Sequence, residues 1–457
     1  MKRTMNFTMI ILLVVGFAWS AIAEEPTMKC SFGSCTAQFG LTDAMITQFK
    51  TKDGNRDNTS LSLENVTNDD LKKLPALKDM LETLAFWSKG DQVTDLTPLA
   101  ELQKLKKLQL REMGNLTDLA PVAKLKTLET LDLYALKKVT DLTPLGNLAG
   151  LQVLSLAVLG QPIDLTPLGK LTALKELRIS QSVAYTSFNF LKPLNKLERL
   201  YFLAEPKDVI DISALAGKTT LQELTFSQAQ IADITPLKGL TGLVKLALNG
   251  SKVTDLSALK GLKKLKSLEL GYLATPNLDL SPVGELTELT YLNITNSTFK
   301  DYTPLTKCTK LESLEAKGTS GFDNLPVLGA LPNLKRLSLW ENKAIQKWDA
   351  LTGLTNLEAL HVGRTGFSDV NLLAKMAKLA ELGMQNCTLT NFETLATLPG
   401  LTNLLVSGAQ GIADISILKT APKIDRLYIG MDQKQFPQEQ LDALNKAKED
   451  AKAQQKK

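Results

Sequence analysis

The chain contains a single histidine, His361, within Leu357-Glu358-Ala359-Leu360-His361-Val362. Any Ser-His-Asp or Cys-His catalysis would have to run through it, because imidazole is the side chain that exchanges a proton near neutral pH. Ser338 and Glu381 stand at outward positions of the neighbouring segments, so a polar cluster around His361 is available. It comes without a strained nucleophile turn, an oxyanion loop or a phosphate-cradling glycine loop. The chain therefore reads as a non-enzyme that takes no cofactor and no metal.

The four cysteines are of two kinds. Cys30 and Cys35 lie in Cys30-Ser31-Phe32-Gly33-Ser34-Cys35, where a disulfide would staple a segment with little core of its own. A metal pair would need further Cys or His close in sequence, and none is there. Cys308 and Cys387 fall on positions that other segments give to leucine and to small residues, and they read as unpaired core. Aspartates recur in the string [VI]-x-D-[LI]-[ST]-P-L, as in Val93 to Leu99, Val139 to Leu145 and Ile231 to Leu237. Stacked carboxylates could share calcium, but an Asx side chain also bonds its own backbone in a turn, and that local role suffices.

All of these residues ride on a repeat. The string L-x-x-L-x-L, seen in Leu81 to Phe86 and Leu128 to Leu133, recurs sixteen times between Leu81 and Ile424 at steps of 22, 23 or 24 residues. A divergent copy, Asn58 to Leu63, precedes them. Its alternation is that of a strand with one buried face, so each repeat contributes one short parallel strand with pairs such as Leu131 and Leu133 turned inward. In the string that follows, Thr97, Thr143 or Thr235 is expected as N-cap and Pro98, Pro144 or Pro236 as first helical residue. Leucines at three-residue spacing, such as Leu99, Leu102 and Leu105, then suit a 3₁₀-like turn. From the aspartate to the next strand's first apolar residue the distance is ten in repeats from Asp95 to Asp414, departing by one only at Asp323. Length variation is thus confined to one rim. Stacked units of this size bury a continuous core, which gives an α/β solenoid with a parallel concave sheet and short convex 3₁₀/α turns.

The outward positions of those strands carry arginine and aromatic residues, the types that dominate binding hot spots. One grouping runs from Arg111 through Tyr134 and Arg178 to Arg199 and Tyr201, with Trp87 before it. A second holds Tyr291, Arg336, Trp340, His361 and Arg364, with Tyr428 beyond.

The turn D-[LI]-[ST]-P-L-x-x-L-x-x-L resembles that of the internalin-like bacterial branch of the leucine-rich-repeat family, over roughly Asn58 to Met431. The resemblance implies a curved right-handed solenoid, capped at its N-terminus, in an exported protein that grips a partner on its concave sheet.

The ends follow from solenoid physics, since an uncapped array would expose apolar faces. Residues 1–23 read as a signal peptide: Lys2 and Arg3, an apolar stretch from Met9 to Trp19, then Ala21-Ile22-Ala23. That stretch is about half of the roughly 20 residues a membrane span needs, so no membrane insertion is expected after its removal. Residues 24–57 form the N-terminal cap, with a helix near Thr42 to Phe49; residues 58–431 form the solenoid; residues 432–457 form a C-terminal cap helix, with Leu441 and Leu444 apolar, and a frayed polar tail from Lys446. Removing Lys2 and Arg3 from 53 basic against 48 acidic residues lowers the net charge from +5 to +3. So even a balance gives no footprint for nucleic acid. The reading is a secreted or periplasmic, monomeric binder of a protein ligand. The alternatives are a glycan or cell-wall binder, whose aromatics stack on sugar rings, and an intracellular scaffold resembling phosphatase-regulating repeat proteins.

Overall fold

The structure is a computed structural model describing residues 27–38, 40–51, 57–87, 92–161, 163–180, 188–203, 209–319, 321–322, 325–421, 424, 426–429 and 436–455. The expected leader and Asp323 lie outside them. Among the described residues, nineteen strands form one sheet. It opens with an antiparallel hairpin of β1 (Thr27–Ser31) and β2 (Ser34–Gln38), in which Cys30 faces Cys35. The two are joined by a disulfide with Cα atoms 4.0 Å apart. From β2 onward every addition is parallel: β3 (Ser60–Glu64), β4 (Thr83–Phe86) and so on to β19 (Arg426–Tyr428). The repeat string accounts for β3 to β19. It does not announce the hairpin, whose two strands carry no leucine pattern.

Each strand turns its period-two leucines inward, and equivalent leucines pair across the sheet, as Leu131 with Leu154 and Leu133 with Leu156. All four are buried. Convex leucines such as Leu99, Leu102 and Leu105 close the other side, so among the described residues one apolar core runs from Cys35 to Leu444. The convex turns are 3₁₀ helices, for example Thr97–Glu101, Thr143–Asn147 and Thr303–Lys307. The expected threonine cap is corrected here. Thr97 is already inside the helix, and the capping acceptor is the aspartate two residues upstream: Asp95 Oδ1 takes the Thr97 N–H at 2.8 Å, and Asp141 and Asp164 do the same for Thr143 and Thr166. A carboxylate is a stronger acceptor than a hydroxyl, and from two residues upstream it satisfies the N–H of the first helical residue.

The aspartate column is therefore structural. Hydrogen bonds from the Thr or Ser two residues on hold Asp95, Asp141, Asp233, Asp255, Asp301 and Asp414 below the usual carboxylate range. A lowered folded-state pKa gives stability that is present above the unfolded value near 3.9 and lost as pH falls through the folded value. We expect the melting temperature to drop steeply below about pH 4, many rungs acting together, and to be unmoved by added calcium or chelator at pH 7. A calcium-dependent melting temperature would overturn the Asx-turn assignment.

Strand exits share a second feature. Glu112, Ala135, Val158, Gln228, Asn296 and Arg364 all adopt φ between 52° and 57°, with Gly250 and Gly408 at the same place in their repeats. This left-handed residue turns the chain off the sheet. It puts Arg364 on the rim and not on the concave face.

Helix α1 (Asp43–Lys50) begins at Thr42, whose hydroxyl accepts the Met45 N–H at 3.2 Å. Buried Asn58 ties this cap to the first repeat, its Nδ2 donating to the Phe49 and Thr51 carbonyls at 3.0 and 2.8 Å. After the short α2 (Asn68–Leu71) the repeats run on to α3 (Gln438–Gln455). Phe436, Leu441 and Leu444 are buried where α3 meets the last convex turn. The tail expected to fray from Lys446 is instead helical to Gln455. Its Ala, Lys, Glu and Gln content is that of strong helix formers, with no Gly or Pro to end it.

Candidate concave binding face

The outward residues of the strands fall in three columns, because parallel register places equivalent residues side by side about 4.8 Å apart. Their chemistry separates into three clusters.

The first spans β4 to β6 (Thr130–Tyr134). The Arg111 guanidinium, at the end of β5 (Lys107–Arg111), lies over the Trp87 ring, 4.4 Å from its centroid. Asp132 on the next strand accepts from Arg111 Nε at 3.1 Å and also from Nη2, and Gln109 adds a third donor at 3.2 Å. Arg111 is thus fixed between a ring and a carboxylate. Trp87, Arg111, Tyr134, Asn65 and Glu112 line a cavity of about 360 Å³. Trp87 and Tyr134 remain 48% and 41% exposed, far more than packing residues would be.

A second cluster spans β8 (Glu176–Ser180), β9 (Arg199–Leu203) and β10 (Glu223–Ser227). Glu176 is buried and accepts from Arg178 Nε at 2.5 Å and Arg199 Nε at 2.6 Å. Burial alone would raise its carboxyl, but the two guanidiniums outweigh that and hold it below the usual range. Arg178 also covers the Tyr201 ring at 4.8 Å, and the Tyr201 hydroxyl donates to Glu223 at 2.6 Å. Burial, reinforced by Glu223, pushes the Tyr201 phenol up to about 12. These groups form one braced surface, poor in free charge.

The third spans β13 (Tyr291–Asn293) to β17 (Glu381–Gly383), with β14 (Ser313–Glu315), β15 (Arg336–Ser338) and β16 (Ala359–His361) between. His361 Nε2 and Glu381 Oε1 are 2.8 Å apart. Ser338 pairs not with the imidazole but with Glu315, whose carboxyl burial raises. Tyr291 is half-buried beside Glu269 and Glu315, and burial raises its phenol. Lys317 Nζ stands 5.8 Å from the Trp340 ring centroid. Arg364, on the rim, pairs with Glu341 at 3.1 Å, while Arg336 is exposed on the face. Tyr428 is 54% exposed on the last strand and joins none of the three.

No protein-family model and no curated protein matches the chain. Solved structures do. An internalin from Listeria monocytogenes is 29% identical, with a TM-score of 0.58, over 66% of this chain and 87% of that one. The chain has the leucine-rich-repeat fold and is similar to an internalin. A leucine-rich-repeat protein of Leptospira interrogans, 21% identical, gives a TM-score of 0.61 over 85% of this chain and 92% of that one. The Drosophila receptor Toll, solved in complex with Spatzle, gives 0.61 at 14% identity over 88% of this chain and 58% of that one.

In this internalin-like chain the predicted first grouping resolves into two clusters, separated by β7 (Val153–Ala157) with its small outward Ser155 and Ala157. What the sequence reading missed were the acids of this face: Asp132 and Glu176, which hold the arginines, Glu223, which accepts from Tyr201, and Glu315, which pairs with Ser338. The signal was present. Aligning the repeats puts Asp132 next to Gln109, and Glu176 next to Arg199, in adjacent strands of one outward column.

Proposed function

We propose that the internalin-like chain is an exported, non-catalytic binding protein that engages a protein partner on its concave face, centred on Trp87, Arg111 and Tyr134 and continuing over Arg178, Arg199 and Tyr201. The observation that carries this is the open cavity between two exposed aromatic rings, with a guanidinium already immobilised beside it. Aromatic and arginine anchors ordered before binding lose little entropy on contact, which is what makes such residues hot spots. Three further facts support the reading: the leader-like first 23 residues, the Cys30–Cys35 disulfide, which persists in oxidising compartments, and the protein partner of Toll on a similar solenoid. A non-catalytic role is supported by the pairing of His361 with Glu381 and of Ser338 with Glu315, so that the imidazole and the Ser338 hydroxyl are not paired with each other.

Crosslinking pull-down from envelope extracts and culture medium tests it. Native protein should recover a defined partner, and a Trp87→Ala, Tyr134→Ala double variant should recover at least about tenfold less, since truncating a hot-spot residue costs about 2 kcal/mol or more. Equal recovery by a folded double variant would remove the site.

A further inference from the structure

On the third cluster, two glycines are placed so that neighbouring rings can come close to the backbone. A Cβ at Gly363 would come within 2.4 Å of Trp340 Cζ3 and 2.6 Å of Cε3. A Cβ at Gly383 would come within 2.8 Å of His361 Cδ2. Neither glycine has a positive φ, so what the fold uses is the missing methyl and not special backbone freedom. The indole of Trp340 is laid across the neighbouring strand and the imidazole of His361 across the one after. Both residues are half-buried, so each ring sits against a glycine of the next repeat while part of it stays open to solvent.

Acceptors surround these rings. The Glu381 carboxylate lies 2.8 Å from His361 Nε2, and Glu315 faces His361 from the other side. Gln385 Oε1 lies 3.0 Å from the place a Cβ would take at either glycine, buried and without a hydrogen-bond partner. An unsatisfied buried acceptor is unusual, and a ligand hydroxyl entering between the rings would satisfy it.

We propose that Trp340, with His361, Gln385, Glu315 and Glu381, forms a saccharide platform in which the C–H face of a pyranose ring stacks on the indole and its hydroxyls donate to the surrounding acceptors. The face of an aromatic ring is electron-rich and attracts the polarised C–H bonds of a sugar. The hydroxyls supply the donors that an acceptor-rich surround requires. A cationic side chain from a partner is the poorer fit, because Lys317 already stands by the Trp340 ring. The proposal does not rest on the partner-binding reading: Trp340, just past the end of β15, is nine strands from Tyr134 on β6, on the order of 43 Å along the sheet.

The test is to probe an array of defined oligosaccharides with the folded full chain, alongside an array of proline-rich and cationic peptides, and to confirm hits by tryptophan-fluorescence titration. Native protein should bind at least one glycan class, and Trp340→Ala and Gly363→Ala should each weaken it at least tenfold. Gly363→Ala is the discriminating variant, because its methyl lifts the indole off the sheet without removing it. Should it fail to fold, Trp340→Leu, which keeps the apolar bulk but deletes the ring, carries the same expectation. The proposal is overturned by glycan binding indifferent to these variants, by no glycan binding above the Trp340→Ala background, or by binding to the peptides alone.

Discussion

A Phe202→Ala variant will lose about 3–5 kcal/mol of stability, as removal of a fully enclosed aromatic ring does. Phe188, Phe202 and Phe226 are all buried and form a triangle of rings: the Phe202 centroid lies 4.8 Å from Phe188, edge to face, and 6.2 Å from Phe226, and Phe188 lies 6.0 Å from Phe226. Phe202 and Phe226 are register partners on adjacent strands, in the column that leucines such as Leu133 occupy elsewhere. The position magnifies the effect. In a solenoid each repeat is held only by its neighbours, so a weakened interface near the middle lets the two ends unfold separately. Denaturant unfolding should change from one transition toward two, and amide exchange should rise first in β9 and β10. The braced outer surface on these same strands, Arg199, Tyr201 and Glu223, should loosen with it, so partner recovery should fall although no contacting residue has changed. A loss under about 1 kcal/mol, with one unaltered transition, would mean that the three rings are not the joint described here.

Phe202 stands in a column that the sequence alone reveals. Period-two apolar residues at a fixed step dictate a parallel sheet, because no other arrangement buries every inner pair such as Leu131 and Leu133 at once. The constant distance from aspartate to strand reflects a rigid convex turn, and the Asp95 carboxylate bound to the Thr97 N–H is the reason for it. Less legible was whatever departs from the repeat. The β1–β2 hairpin runs antiparallel and has no leucine string, so only Cys30 and Cys35 hinted at it. On the concave face, a search for arginine and aromatic residues found Arg111, Arg178, Arg199 and Tyr201 but passed over the acids that orient them. Gly363 and Gly383 were invisible for another reason. Their role lies in what a neighbouring ring does with empty space, and that depends on side-chain direction across strands.

Lys218→Leu should move stability the other way, raising it by about 1–3 kcal/mol at pH 7, as replacing a buried charge by a fitting apolar group does. Lys218 is 5% exposed and stands in the convex column that Leu194 and Leu240 fill in the adjacent repeats. Its ammonium donates to the Leu194 carbonyl at 3.1 Å, the Lys192 carbonyl at 3.2 Å and Asn195 Oδ1 at 3.5 Å, with no carboxylate among these partners. Carbonyl dipoles only partly replace lost hydration, and burial accordingly lowers the Lys218 pKa from its ordinary 10.5. With the folded pKa below the unfolded one, the folded chain binds fewer protons in the window just under pH 10.5, so native stability gains as pH rises and Lys218 sheds its charge. The advantage of Lys218→Leu should therefore be largest near neutrality and shrink toward pH 10, when the melting temperatures of the two proteins are compared across that range. Leucine is already the occupant in most repeats, which argues against overpacking, and the carbonyls it leaves border exposed Lys192, where water can reach them. A variant that melts below the native protein at every pH would show that capping those carbonyls outweighs the buried charge, and would make Lys218 a clamp between repeats and not a burden on the core.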